Sequence, residues 1–209
     1  AHPWCPKRYR QSLEVDVIKP FDKPALTGVT GLDDVLGGGL ERRRLFLLEG
    51  NPGTGKTTIS IQFLSAGALA GERTLYITLS ETEEELRAGA ASHGMDMEGI
   101  EVFELVPTEL LLDEDQQQSL LYSSDLELGE TTKRIFESFE KVHPTRVVLD
   151  SLSEIRLLAQ SSLRYRRQIL ALKHYFARSG ATVLMLDDLS SGADDRTMHS
   201  VAHGVLRLE

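Results

Sequence analysis

Cysteine is nearly missing from this 209-residue chain, where Cys5 stands alone. A single thiol makes no internal disulfide and no cysteine-held zinc cluster, and it suits a reducing compartment. A cytoplasmic location is therefore expected. Long hydrophobic runs are missing too. No stretch approaches the ~20 apolar residues that a membrane span needs. The opening Ala1-His2-Pro3-Trp4-Cys5-Pro6-Lys7-Arg8-Tyr9-Arg10 lacks the apolar centre of a signal peptide. No membrane partner is expected. The third absence is a basic surplus, since 23 Lys and Arg stand against 32 Asp and Glu for a net charge of −9. A duplex-DNA binder ordinarily shows a basic face. The local clusters Arg42-Arg43-Arg44 and Arg164 to Arg167 are short, and read as solvated helix ends or subunit contacts. Nucleic acid is disfavoured as a partner. The remaining composition, 41% hydrophobic and 26% charged, is ordinary for a globular protein and leaves enough chain for one large core.

What the chain does have is a phosphate-binding signature. Gly50-Asn51-Pro52-Gly53-Thr54-Gly55-Lys56-Thr57 fits the pattern G-x-x-x-x-G-K-[ST] at every fixed position. The apolar run Leu45-Phe46-Leu47-Leu48 before it reads as a buried strand, and Thr58 to Leu64 after it as a helix with an apolar stripe. That strand–loop–helix context separates a working phosphate loop from a chance match. Its glycines let several N–H groups converge on a phosphate, and the helix starting near Lys56 adds its positive dipole end. Lys56 is expected to face solvent without ligand and to reach the β- and γ-phosphates of a bound nucleotide, while the Thr57 hydroxyl ligates Mg²⁺.

Residues 1–25 read as an arm with four prolines and one plausible strand, Leu13 to Val17. A single domain, 26–209, is expected to follow. It opens on Leu26-Thr27-Gly28-Val29-Thr30-Gly31-Leu32-Asp33-Asp34-Val35-Leu36, where Leu32, Val35 and Leu36 suggest a short amphipathic helix before the turn Gly37-Gly38-Gly39. Further strands are expected at Thr74–Leu79, Ile100–Leu105, Arg146–Asp150, Ala181–Leu186 and from His203 onward. Helices are expected at Glu83–Ala91, Thr131–Val142 and Leu163–Ala177, with Pro144 stopping the second. Residues 107–130, acidic and Gln-rich, read as a surface loop with broken helical turns. Strands and helices alternating at these spacings give an α/β fold with a mainly parallel twisted sheet and helices on both faces.

A carboxylate ending a neighbouring strand is the second requirement of such a site, because it holds Mg²⁺ through its water shell. Asp150 meets it after the apolar Val147-Val148-Leu149, and Asp187-Asp188 is the competitor. Hydrolysis further needs a group that orients or deprotonates water. Glu81, just past the second strand, is favoured over Glu83, Glu84 and Glu85, which fall on a helix. Candidate catalytic residues are thus Lys56, Glu81 and Asp150, with Thr57 and Asp150 on the metal side.

Together these residues resemble the KaiC-like branch of the RecA/DnaB superfamily of phosphate-loop NTPases. The resemblance covers Leu26 to Glu209. It is carried by Gly28 through Leu40, Gly50 through Leu64, Tyr76-Ile77-Thr78-Leu79-Ser80-Glu81-Thr82, Val147 through Leu152 and Gly180-Ala181-Thr182-Val183. It implies a RecA-like core, ATP with Mg²⁺, and a homo-oligomeric, usually hexameric ring with ATP between subunits. Clock-type members carry two such domains, hydrolyse ATP and can phosphorylate themselves, so regulatory protein partners are conceivable. By carry-over, Gly53 to Thr58 hold the phosphates, Asp150 is the metal-side carboxylate and Ser92 matches a nucleotide-contacting serine. Two departures stand out. The family places two consecutive glutamates after the second strand, whereas here Ser80 precedes Glu81, which implies slow hydrolysis or none. Members also continue past this chain's Leu206-Arg207-Leu208-Glu209 into strands that lend a lysine and an arginine to the neighbour's ATP. The chain is accordingly expected to be a domain of a longer protein. An ATPase module of a regulatory protein leads the functional readings, ahead of a RecA/RadA-like recombination ATPase and of a nucleotide-gated assembly switch.

Overall fold

In the computed structural model, residues 23–105, 123–189 and 197–209 are described. The arm with its suggested strand at Leu13 to Val17, and the acidic stretch up to residue 122, lie outside the described residues.

Six strands alternate with helices as the sequence pattern requires. β1 (Leu45–Gly50), β2 (Thr74–Thr78), β3 (Ile100–Glu104), β4 (Arg146–Asp150), β5 (Thr182–Asp188) and β6 (Gly204–Leu208) form one sheet in the order β3-β2-β4-β5-β1-β6. Every pairing is parallel. The helices are α1 (Thr30–Val35), α2 (Lys56–Leu69), α3 (Glu83–Ser92), α4 (Ser123–Val142), α5 (Leu152–Ala159), α6 (Ser162–Ser179) and α7 (Thr197–Val201). The RecA-like α/β architecture expected from sequence is the one observed.

The central strands are buried on both faces, which is why they read as continuous apolar runs. Their two-residue period divides the side chains between two cores. Leu45, Leu47, Leu75, Ile77, Val147, Leu149, Val183 and Met185 pack with α4, α5, α6 and α7. Phe46, Leu48, Tyr76, Val148, Leu184 and Leu186 pack with α2 and α3. Each such aliphatic side chain contributes roughly 1.5–3 kcal/mol by leaving water.

Two expectations need correction. α4 begins at Ser123, eight residues before the expected Thr131, so the segment read as broken turns is helical from there on. Its first turns are mostly acidic and polar, and Leu128, which joins the core seven residues before Ile135, is too isolated to read as a helical stripe. α1 exists, but none of its residues is buried, and Val35 is 84% exposed. What holds this segment is polar. The Asp33 carboxylate accepts from Thr27 N at 2.7 Å, Thr27 Oγ1 at 2.8 Å and Gly28 N at 3.2 Å. The glycine turn has its own steric reason. Gly39 has φ 121°, and a Cβ there would lie 2.4 Å from the Ala25 carbonyl oxygen, where the chain bridges to Leu40.

A buried ion knot ties the start of the domain to the sheet. Arg146, which opens β4, is only 2% exposed. Its guanidinium donates to Leu26 O at 2.6 Å, Phe63 O at 2.9 Å and Glu72 Oε1 at 2.8 Å, and lies 5.0 Å from the Phe63 ring centroid. Arg42 grips the same carboxylate with two bonds of 2.8 Å. The close approach is possible because α2 carries Gly67 there, where a Cβ would come within 2.6 Å of Arg146 Cδ.

Burial pushes the Glu72 carboxyl up, but the hydrogen bonds and charges of Arg42 and Arg146 outweigh it and hold the pKa at about 2 against an ordinary 4.5. A depressed folded-state pKa contributes stability above the ordinary carboxylate range, and that stability is lost as pH falls toward 2. Urea melts from neutral pH downward should show Glu72→Gln losing this acid-limb dependence, worth about 3 kcal/mol. Glu72→Ala, which strands a buried guanidinium, should cost ~3–5 kcal/mol at neutral pH.

Candidate functional site

The parallel register delivers the site. Gly50, which ends β1, stands opposite Asp188 of β5, and Thr78 of β2 stands opposite Asp150 of β4. All four therefore lie at the carboxyl edge of the sheet, where open α/β sheets bind ligands.

Between β1 and α2 the loop Asn51 to Gly55 turns through two left-handed glycines, Gly53 at φ 83° and Gly55 at φ 91°, with open space where a Cβ would stand. Only glycine holds these angles without strain. Gly50 is constrained differently, since a Cβ there would meet Thr54 Oγ1 at 2.5 Å. Thr54 pins the loop by donating its hydroxyl to Asn51 O at 2.8 Å. Asn51, Pro52 and Gly53 are exposed, and Thr54 to Thr58 partly so. The result is an open cradle at the N-terminus of the 14-residue α2, with the dipole and free N–H groups that favour a phosphate.

Lys56 departs from its expected solvent-facing pose. Its ammonium folds back and donates to Gly50 O at 2.9 Å and Asn51 O at 3.0 Å, and it pairs with Asp188 Oδ1 at 2.8 Å. Three donors meet three acceptors, so the side chain is only 11% exposed. Asp188, ranked behind Asp150 from sequence, is thus the carboxylate that holds the lysine. Its neighbour Asp187 points to the opposite face and takes Arg156 at 2.5 Å.

Asp150 ends β4, and the peptide bond that follows it is cis. Asp150 is not the N-cap of α5, a place held by Ser151. Its Oδ2 accepts from the Tyr76 hydroxyl at 2.5 Å. Burial, opposed by the Tyr76 bond and reinforced by the charges of Glu81 and Asp188, pushes the carboxyl up to about 6. Burial and the Asp150 charge push the Tyr76 phenol well above the usual range. Nothing in the apolar look of β2 signalled this contact, since the tyrosine reads there as one more core residue.

Glu81 lies past β2 on a turn closed by Thr78, whose hydroxyl donates to Glu81 O at 2.8 Å and accepts from Glu81 N at 3.0 Å. It lines a cleft of ≈ 180 Å³ together with Thr57, Thr58, Gly89 of α3 and His93, which caps that helix. Burial and the Glu85 charge push its carboxyl up. Ser80 is exposed beside it. Ser92 is not among the residues lining that cleft. Its hydroxyl donates back to Gly89 O at 2.7 Å.

The donor set suits Mg²⁺, which takes hard oxygen ligands and commonly uses one or two carboxylates plus substrate phosphates. Thr57 and Asp150 supply a hydroxyl and a carboxylate at one edge of an anion cradle. Among the described residues no cluster of three or more acidic, His or Cys side chains forms an all-protein metal cage, and such a site needs none. Nor is any described helix long and apolar enough to cross a membrane.

A phosphate loop at the head of a parallel sheet, with a strand-end aspartate beside it, defines an ATP-binding ATPase module with a RecA-like core. The chain belongs to the KaiC ATPase family, which it matches over residues 25–209. It is 30% identical over 184 residues to a UPF0273 protein of Pyrococcus horikoshii, across 86% of this chain and 74% of that one. A UPF0273 protein of Aeropyrum pernix is 30% identical over 191 residues, covering 88% and 76%. The circadian clock oscillator protein KaiC of Thermosynechococcus vestitus is 29% identical over 161 residues, which span 76% of this chain but 30% of that longer one.

The raised pKa of Asp150 has a stability consequence. A carboxylate whose folded pKa lies above its ordinary 3.8 destabilises the fold once ionised, so stability falls as pH rises from about 4 to about 6. Asp150→Asn, which can still accept from Tyr76, should raise the calorimetric Tm of the ligand-free domain above pH ~7, by an amount equivalent to roughly 1–3 kcal/mol. Near pH ~4 the two proteins should melt together.

Proposed function

We propose that this domain binds ATP with Mg²⁺ in the phosphate loop and hydrolyses it slowly, as the nucleotide-driven module of a homo-oligomeric, ring-forming regulatory protein. The observation that carries the reading is the lysine folded over an open glycine cradle at the start of α2, with the strand-end Asp150 at the same edge of the sheet. In this reading Gly50 to Thr58 cradle the phosphates, and Lys56 exchanges Asp188 for phosphate oxygens. Thr57 and Asp150 face the metal, and Glu81 orients the attacking water. The metal, when bound, neutralises charge on the phosphate oxygens. Ser92, one turn from the cleft wall at Gly89, is assigned to the nucleotide's outer part. The domain occupies 26–209 behind an arm at 1–25, and acts in the cytoplasm.

The finer biology follows from the family alone. Assembly into a hexamer, self-phosphorylation in a longer protein and a part in biological timing are what KaiC relatives suggest, and regulatory protein partners would accompany them. A net charge of −9 favours these over a recombination role on DNA.

Lys56→Ala should leave the fold intact and weaken binding of a fluorescent ATP analogue at least ~10-fold, because charge-assisted contacts of this kind are worth ~1.5–3 kcal/mol each. An unchanged titration would remove the phosphate loop as the binding site. Glu81→Gln should keep nucleotide affinity and lose ~10²–10⁴-fold in single-turnover hydrolysis, the usual cost of a positioned base. Equal rates for Glu81→Gln and the parent would favour an assembly switch in which Glu81 has no chemical part.

A further inference from the structure

The end of β5 is fixed more firmly than the start of a loop requires. Asp187 Oδ1 accepts from the Asp188 N–H at 3.0 Å, and is itself clamped by Arg156 at 3.1 Å and by the Ser153 hydroxyl at 3.3 Å. One residue on, the Leu189 N–H donates to Gly50 O at 3.2 Å. These bonds hold Asp188 against the root of the glycine loop, where its Oδ1 takes the Lys56 ammonium at 2.8 Å. The lysine side chain is 11% exposed and the aspartate 33%, so the pair is more than a solvated surface contact. A lysine has three N–H donors. Gly50 O and Asn51 O take two, and Asp188, the one charged acceptor of the three, takes the last. A phosphate oxygen can bond this ammonium only in exchange for one of those partners, and the carboxylate is the one whose place an anion contests.

We infer that Asp188 is a specificity-determining latch, which makes the site take a nucleoside polyphosphate together with its divalent cation and reject the bare polyanion. The inference rests on the nucleotide reading above and adds to it the form of the ligand. Bare triphosphate that draws Lys56 away leaves the Asp188 carboxylate partly buried, without its counterion and beside the incoming negative charge. Asp150 ends the adjacent strand and adds a second carboxylate at this edge. Unpaired like charges in such a place are costly. A cation carried on the phosphates offsets both carboxylates at once, so the same exchange costs the metal complex less. Asp188 need not touch the metal for this. It discriminates by raising the cost of the wrong ligand, and specificity is that difference of affinities.

The test titrates a fluorescent ATP analogue into wild type, Asp188→Asn and Glu154→Gln, first in EDTA and then in Mg²⁺, with Tm measured for each protein. Asparagine keeps the shape of Asp188 and can still accept from Lys56, but carries no charge. Glu154→Gln instead removes a charge from the first turn of α5. Wild type should strongly prefer the Mg²⁺ complex. Asp188→Asn should gain ~5–10-fold in metal-free affinity, the scale of a partly exposed charged contact. Its affinity for the Mg²⁺ complex should change much less, and Glu154→Gln should keep the wild-type preference. Unchanged metal-free affinity in Asp188→Asn would overturn the inference, as would an equal gain with and without metal. A loss confined to the Mg²⁺ titration would also overturn it, by making Asp188 a metal ligand. The same gain in Glu154→Gln would reduce the effect to general charge and overturn it too. If Asp188→Asn lowers Tm sharply, Asp188→Ser is read in its place against the same outcomes. Failure of the wild type to bind the Mg²⁺ complex would instead sink the site reading on which the inference stands.

Discussion

Strands that are buried on both faces and joined by crossover helices must run the same way, and that constraint positions everything else in this domain. Parallel register puts Gly50, Thr78, Asp150 and Asp188 on one edge of the sheet, although 138 residues separate the first from the last. The glycine loop leaves that edge at β1, and α2 returns along the face lined by Phe46, Tyr76, Val148 and Leu184. A register slip of one residue in β4 would turn Asp150 toward the opposite core and carry an apolar side chain to the edge. The site is therefore a property of the sheet before it is a property of any loop.

Charge is the second organising term, and it is unbalanced by design of the edge. Lys56 is the one cation among the groups that set the Asp150 pKa, against Glu81 and Asp188. Glu154 is also pushed up by burial and by Asp188. Burial above all, reinforced by this excess of negative charge, keeps the Asp150 proton on to about pH 6. In the reading proposed above, polyphosphate adds more negative charge and a divalent cation returns the positive charge the edge lacks, so nucleotide and metal are each more favourable in the presence of the other. The lysine's present partners are consistent with this, because two of the three are backbone carbonyls of the loop, which release it without leaving an ion behind.

The parts of this fold legible in the sequence are those with local signals. The phosphate loop has a fixed spacing, the central strands are unbroken apolar runs, and the Ile135, Phe136, Phe139 and Val142 stripe marked the latter half of α4. What stayed hidden depends on partners far along the chain. Arg146 looks like a strand's solvated first residue, yet its partners Leu26, Phe63 and Glu72 are 120, 83 and 74 residues away. Tyr76 looks apolar, and its hydroxyl contact is 74 residues distant. The folded-back Lys56 was missed for the same reason, since Asp188 was weighed as a rival carboxylate and not as the lysine's partner. Val35 failed differently. Its spacing fits an apolar stripe, but a helix of six residues held by Asp33 side-chain bonds needs none.

The pair Asp187-Asp188 shows why adjacency in sequence misleads at a strand end. Read along the chain, the two aspartates form one acidic unit. In β5 the two-residue period sends them to opposite faces. Asp188 meets Lys56 on the α2 side, while Asp187 meets Arg156 and Ser153 on the α5 side, beneath Glu49 of β1. Glu49 in turn is held by His199 at 2.7 Å and Arg207 at 2.6 Å. Burial pushes Glu49 up, but these two partners hold its carboxyl below the ordinary range. On the face away from the loop, Asp187 is thus paired with Arg156 of α5, and Glu49 with Arg207 of β6 and the His199 ring of α7. The loop face keeps its carboxylates in excess. Only that asymmetry leaves Asp188 and Asp150 available to a lysine and, in the proposed reading, to a metal ion.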